Sequence, residues 1–127
     1  MPTIAPGVDF TVTAREWRCK WSADSDKASL VALQETINKY LDQVKAVDGC
    51  QGVQRVVCGD CLDYKIITSV AADKFGDWEA KQFEPEGDVL KAMSEIPGVT
   101  SVETQTFTLA PMWLPTQQPK TTCCLVL

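Results

Sequence analysis

The amino-acid sequence predicts an α+β domain with a four-stranded antiparallel sheet and two helices on one face of that sheet. Four segments of alternating or β-favouring residues are separated by two segments with apolar residues at helical spacing, in the order β-α-β-β-α-β. The length of 127 residues and the hydrophobic content of 45% are those of one domain that buries its own core. The predicted domain covers residues 9–110, between an N-terminal extension over residues 1–8 and an extended C-terminal tether over residues 111–127.

Residues 9–22 have the pattern of a long first strand. Its apolar residues change phase along the run: Phe10, Val12 and Ala14 come first, followed by Trp17, Cys19 and Trp21. An inserted residue produces such a phase change, so the pattern predicts a bulge near Arg15 and Glu16.

The first helix is predicted to begin after residues 23–26, which offer several N-cap side chains. Its apolar stripe consists of Leu30, Leu33, Ile37, Leu41 and Val44. Gly49 follows as the expected C-cap residue.

A β-hairpin is predicted next, with strands over residues 53–58 and 62–71 and a tight turn at Gly59 and Asp60.

A second helical pattern covers residues 73–82, is interrupted by Pro85 and resumes over residues 86–96. The Pro-Gly pair at residues 97–98 ends it, and the threonine-rich residues 99–110 form the last predicted strand.

This order of elements resembles the ferredoxin-like fold. The segment Ile-Pro-Gly-Val-Thr-Ser-Val-Glu at residues 96–103 also resembles the last helix-to-strand turn of many small domains of that kind. The resemblance covers residues 9–110 and implies a fold without implying a function.

The predicted sheet carries apolar side chains on both faces, although the helices cover only one. The third strand points Tyr64, Ile66 and Val70 to one face and Ile67 and Ala71 to the other. A second apolar face must be buried against something. The dimeric α+β barrel group, which this domain resembles, buries it against a second copy, so we expect a homodimer. The alternative cover is the chain's own Trp113 and Leu114 folding back.

The last four residues of the sequence are Cys124, Leu125, Val126 and Leu127, and they resemble a prenylation motif whose final leucine favours the geranylgeranyl group. Cys124 is the predicted prenyl site, and the adjacent Cys123 is a candidate for palmitoylation. The resemblance implies a eukaryotic cytoplasmic protein that binds peripherally to the cytosolic face of a membrane through its lipid. The alternative is an apolar tail that packs on the domain.

Composition excludes several classes of function. The formal net charge of -5 argues against a nucleic-acid partner, because phosphate contacts need clustered Lys and Arg. The absence of histidine excludes an imidazole base or metal ligand, and we expect no cofactor. Without a secretory signal at the N-terminus, the six cysteines are expected to be reduced cytosolic thiols.

Cys58 and Cys61 form a Cys-x-x-Cys motif in the predicted hairpin turn. Two thiolates could bind a soft metal such as copper(I) or act in redox chemistry. The neighbouring Asp60 and Asp63 raise a thiol pKa rather than lower it. This favours two turn residues without catalytic reactivity.

A group of aromatic and basic residues on the predicted strands suggests a ligand site; its candidate members are Trp17, Trp21, Arg55 and Tyr64. The structural interpretation is that the tryptophans are core residues and that the arginines, including Arg15 and Arg18, pair with Glu16 or Glu103.

Three functions remain open. The tail favours a lipid-anchored binding or adaptor module, dimeric and peripheral to a membrane. The first alternative is a protein that binds a small apolar ligand, or a histidine-free enzyme, of the dimeric α+β barrel type. The second is a thiol or soft-metal carrier acting through Cys58 and Cys61. The sequence contains no recognisable catalytic set, which favours a binding module over an enzyme.

Overall fold

The structure, a computed structural model, describes residues 2–113 of the chain. Its elements in chain order are β1 (Thr3–Ala5), β2 (Val8–Asp9), β3 (Val12–Lys20), α1 (Asp24–Lys45), β4 (Cys50–Val57), β5 (Asp63–Ala71), α2 (Ala72–Ala80), α3 (Glu86–Ser94) and β6 (Thr100–Leu109). Strands β3 to β6 form one antiparallel sheet in the order β4-β5-β3-β6. This confirms the predicted α+β fold, including the hairpin of β4 and β5 and the break at Pro85.

The core lies between the sheet and the three helices, which pack on one face. Trp17 of β3 and Tyr64 of β5 are fully buried there against Leu33 of α1 and Met93 of α3. A cluster of three aromatic rings closes the core beneath α2, with centroids 5.1–6.1 Å apart: Phe75, Trp78 and Phe83. Burial of such large apolar side chains is the main favourable contribution to the free energy of folding.

The predicted bulge near Arg15 and Glu16 is wrong. Strand β3 keeps an unbroken register with β5 from Val12 to Lys20, and its register with β6 shifts only between Arg18 and Lys20. The apolar residues change phase because the strand is apolar on both of its faces. Even positions lie on one face and odd positions on the other, without an inserted residue.

Local boundaries differ from the prediction at two turns. No side chain caps the start of α1, and its residues Ser25, Asp26 and Lys27 have left-handed backbone conformations. The loop of the β4–β5 hairpin covers residues 58–62 rather than two residues. Gly49 lies in the turn before β4 with φ +85, where a Cβ atom would fall 2.6 Å from Lys74 Cβ, so glycine is required there.

The N-terminal residues pair as a two-stranded hairpin of β1 and β2, where the sequence predicted only an extension. At the other end, the Trp113 side chain is 79% exposed, so it does not cover the sheet as the fold-back alternative requires. Leu114 lies outside the described residues. Within residues 2–113, no helix combines the length and apolar character needed to cross a membrane.

We call the sheet surface opposite the helices the open face. Its apolar half consists of Val12, Ala14, Ile67, Ala71, Phe107 and Leu109. Its charged half consists of Glu16, Arg18, Lys20, Asp63, Lys65 and Glu103. Ion pairs connect the charged half, with Lys20 Nζ 2.7 Å and Arg18 Nη2 3.1 Å from Asp63 Oδ1.

Candidate functional site

A cleft of about 440 Å³ opens between α1 and the β4–β5 hairpin, on the helix side of the sheet. Its walls are mainly apolar and come from Leu30, Val31 and Val57. Val31 is 56% exposed and Val57 is 41% exposed, which leaves unusual apolar surface open to solvent at one place. An apolar concavity with a few polar groups is the usual form of a small-molecule site.

The polar end of the cleft is organised around one amide. The Tyr64 hydroxyl donates to Gln34 Oε1 at 2.9 Å, and Arg55 Nη1 donates to the same oxygen at 3.0 Å. Gln34 Nε2 donates to Asn38 Oδ1 at 2.9 Å, which fixes the orientation of the amide. Side chains from α1, β4 and β5 therefore converge on one point.

Burial raises the pKa of Tyr64 to about 12, with a smaller opposing effect from the positive charge of Arg55. The hydroxyl is therefore protonated at neutral pH and serves as a hydrogen-bond donor rather than as a base.

The structure brings together two of the four predicted ligand residues, Arg55 and Tyr64, and places the two tryptophans elsewhere. Trp17 is buried and donates to Glu86 Oε2 at 2.7 Å. Trp21 is also buried and donates to the backbone carbonyl of Asp63 at 3.2 Å. Neither lines the cleft, so both are core residues, as the structural interpretation expected.

Gln34 is the member of the site that the sequence prediction missed. It lies on α1 one turn after Leu30 and one turn before Ile37, at the flank of the apolar stripe. The sequence did contain one signal for it. Gln34 is a polar residue next to the apolar stripe of α1, and that stripe faces the strand that carries Arg55.

A second polar cluster joins β3 to the start of α3. Glu86 accepts from Arg15 Nε at 2.7 Å and from Arg15 Nη2 at 3.1 Å, and the Arg15 guanidinium lies 4.1 Å from the Phe83 ring centroid. Arg15 therefore pairs with Glu86, whereas the sequence suggested Glu16 or Glu103. Arg18 does approach Glu103, at 4.0 Å. The donors of the Arg15 fork are occupied by protein groups, including Thr106, so this cluster is a structural brace.

Cys58 and Cys61 form a disulfide bond in the β4–β5 turn, with Cα atoms 5.5 Å apart. The expectation of reduced thiols is wrong for this pair. In this form the two sulfurs have no thiolate to offer a metal or a substrate. Asp63, expected to raise their pKa, instead pairs with Lys20, whose hydrogen bond holds the pKa of the Asp63 carboxyl below its usual value.

The other cysteines form no metal centre in the part of the chain that the structure describes. Cys19 is buried, and burial raises its thiol pKa to about 11. No group of three or more cysteine and carboxylate side chains within residues 2–113 lies close enough to hold a metal ion. The predicted lipid sites, Cys123 and Cys124, lie outside the described residues.

No protein-family profile matches the sequence, and the comparison with curated proteins found no similar chain. Among solved structures, a monooxygenase of Streptomyces coelicolor in complex with nanaomycin D has a TM-score of 0.62 at 14% identity, covering 84% of this chain and 94% of that chain. A protein assigned as an antibiotic biosynthesis monooxygenase of Deinococcus radiodurans has a TM-score of 0.60 at 12% identity, covering 82% and 98%.

A third solved structure, a dimeric ferredoxin-like protein from an uncultured marine organism, has a TM-score of 0.58 at 5% identity and covers 84% of this chain and 94% of that chain. At these identities the likenesses concern the fold alone. They agree with the ferredoxin-like α+β architecture that the strand order already defines.

Proposed function

We propose that this chain binds a small apolar ligand in the cleft between α1 and the β4–β5 hairpin. The observation that carries the proposal is the convergence of Gln34, Arg55 and Tyr64 at one end of an apolar-walled cavity of about 440 Å³. The Streptomyces structure was solved with nanaomycin D, an example of a small ligand bound by a protein of this fold.

We propose binding rather than acid–base catalysis. The tyrosine at the polar end of the cleft stays protonated at neutral pH, and the chain contains no histidine. A general base works best when its pKa lies near the operating pH. Tyr64 does not meet that condition, and histidine, whose ordinary pKa does, is absent from the sequence.

The functional unit that we propose is a homodimer built on the open face. Its apolar half is contiguous with a groove of about 420 Å³ near Val12 and Leu109. Glu16 is 4% exposed, yet its Oε2 atom has no hydrogen-bond partner within residues 2–113. A buried carboxylate oxygen without a donor is costly, but a second copy could reach this atom only if the side chains that cover it move. The apolar half of the open face is therefore the observation that supports the dimer.

A neutral fluorescent probe, phenylnaphthylamine, tests the ligand site. We expect saturable binding to the folded protein and a loss of affinity of about tenfold or more in Val31→Asn, which makes an exposed cleft wall polar. The matched control is Val8→Asn, because Val8 is 50% exposed on β2 and does not line the cleft. No saturable binding, or equal loss in both variants, would contradict the proposal.

Membrane attachment through Cys124 is a separate proposal that rests on the sequence motif alone. After expression in eukaryotic cells, the wild-type protein should partition partly to membranes and Cys124→Ser should not. An intact mass that retains Leu125, Val126 and Leu127 without a lipid would contradict it.

A further inference from the structure

We infer that the cleft selects an organic anion, a molecule with an apolar body and a carboxylate or sulfonate head that Arg55 binds. This inference rests on the proposed ligand site and adds the chemical class of the ligand. It follows from the number of hydrogen-bond donors and acceptors at the polar end of the cleft.

The acceptor at that end is already saturated. Gln34 Oε1 accepts two hydrogen bonds, from Tyr64 and Arg55, and a carbonyl oxygen has two lone pairs. The amide nitrogen of Gln34 is directed to Asn38. The Tyr64 proton is also used, so the donors left for a ligand at this end are the N–H groups of Arg55.

The donors of Arg55 are largely unused. Guanidinium carries five N–H groups, and within residues 2–113 the only side-chain hydrogen bond from Arg55 is the one to Gln34. No carboxylate in that part of the chain lies within 4.0 Å of its nitrogens. The two other arginines, Arg15 and Arg18, both have carboxylate partners.

The charges around Arg55 leave room for an anion. Arg55 and Glu35 are the charged residues that line the cleft, and Glu35 is exposed on α1, where water and salt screen its charge. Arg55 is also exposed, and its hydrogen bond to Gln34 holds one edge of the guanidinium beside the apolar walls. A guanidinium fork can then donate two parallel hydrogen bonds to a carboxylate or sulfonate.

Two probes with the same aromatic frame test the inference: anilinonaphthalene sulfonate, which is anionic, and phenylnaphthylamine, which is neutral. We expect the wild-type protein to bind the anionic probe about tenfold more tightly than the neutral one. Arg55→Met should abolish this preference, because it weakens binding of the anionic probe far more than binding of the neutral one. Lys91→Met is the matched control, because it removes one positive charge from an exposed position on α3 outside the cleft.

A second variant tests the same inference while Arg55 remains in place. Gln34→Glu places a carboxylate where the amide oxygen accepts from Arg55. This carboxylate should compete with the anionic probe for Arg55, so the affinity for the anionic probe should fall more than the affinity for the neutral one. Far-ultraviolet circular dichroism checks that each variant is folded.

Equal affinity for the two probes, or an anion preference that survives both Arg55→Met and Gln34→Glu, would overturn the inference while leaving the ligand site intact. Failure of both probes to bind the wild-type protein would instead contradict the proposed function itself.

Discussion

At the scale of single residues, hydrogen-bond saturation separates the two arginine clusters on the helix side of the sheet. Every guanidinium nitrogen of Arg15 already donates to Glu86 or Thr106, and the group lies over Phe83, so Arg15 is fixed within the fold. Within residues 2–113, Arg55 makes one side-chain hydrogen bond, to Gln34, in a cleft open to solvent. The same residue type therefore braces the fold at one end of the sheet and can bind an anion at the other.

The ionisation of Tyr64 tests whether its hydroxyl is buried at the polar end of the cleft. Burial raises its pKa from an ordinary value of 10.0 to about 12, so the folded state favours the protonated form. The resulting stability is fully present below about pH 10 and is lost as the pH rises through about 12. In Tyr40→Phe, which retains Tyr64 as the only tyrosine, the phenolate absorbance should appear near pH 12. A transition near pH 10 in folded protein would contradict the buried hydroxyl.

Residue identity at the site was partly predictable. Arg55 and Tyr64 were candidates because charged and aromatic groups on neighbouring strands can share a face. Gln34 was not a candidate. In the sequence, a glutamine at the edge of the apolar stripe of a helix looks the same as a glutamine exposed to water, and the way α1 crosses β4 decides between the two. Glu86 was not predicted as the partner of Arg15, since the break at Pro85 sets which way the start of α3 faces.

At the scale of elements, the β4–β5 hairpin forms one wall of the cleft. Val57 and Tyr64 are cross-strand partners at its end, and the disulfide between Cys58 and Cys61 closes the loop just beyond them. Lys20 Nζ anchors the same loop through the carbonyl of Cys61, at 2.8 Å. The loop is thus held both by a covalent bond and by β3.

Removing the disulfide between Cys58 and Cys61 tests how much it contributes to the stability of the fold and to the shape of the cleft. Cys58→Ser with Cys61→Ser should lower the free energy of unfolding by about 2 kcal/mol or less, because the closed loop is very short. Probe binding should persist, since main-chain pairing holds Val57 beside Tyr64. Denaturant unfolding measures the first effect, and Cys50→Ser is the control for loss of a thiol.

A loss of probe binding in the double variant, with folding intact, would show that the disulfide itself shapes the cleft. Treating the wild-type protein with a reductant should reproduce the stability change of the double variant.

The order and type of the elements could be predicted because periodicity differs between helix and strand. The phase change in β3 was misinterpreted because one apolar pattern fits either a bulge or a strand that is apolar on both faces. The turns at residues 25–27 and 58–62 depend on long-range contacts, such as the hydrogen bond from Trp21 N to Leu62 O at 2.9 Å, which local sequence does not encode.

At the scale of the whole molecule, the sheet separates two surfaces with different proposed roles. The cleft lies on the helix side and the open face lies opposite, so a dimer built on the open face leaves the cleft accessible. The dimer also explains why Val12, Ile67 and Phe107 are apolar on a side of the sheet that no helix of the described residues covers.

Ile67→Lys tests the dimer without damaging the protomer. Ile67 lies on β5 opposite Glu16 of β3, so a lysine there can pair with that carboxylate within one chain. In a symmetric interface the substitution puts a charged side chain from each copy into the apolar half, and the cost of removing it from water should dissociate the dimer. Sedimentation at micromolar concentration should give twice the protomer mass for the wild type and for Val31→Asn, but a monomer for Ile67→Lys. A monomeric wild-type protein would contradict the proposal.

A titration of isotope-labelled protein with anilinonaphthalene sulfonate, followed by amide chemical shifts, shows directly whether the cleft binds the ligand. We expect the largest shifts at Val31, Gln34, Arg55 and Val57, and small shifts on the open face. Saturable shifts centred on Val12, Ile67 and Phe107 instead would contradict the proposed ligand site, because they would assign ligand binding to the surface that we propose for the dimer.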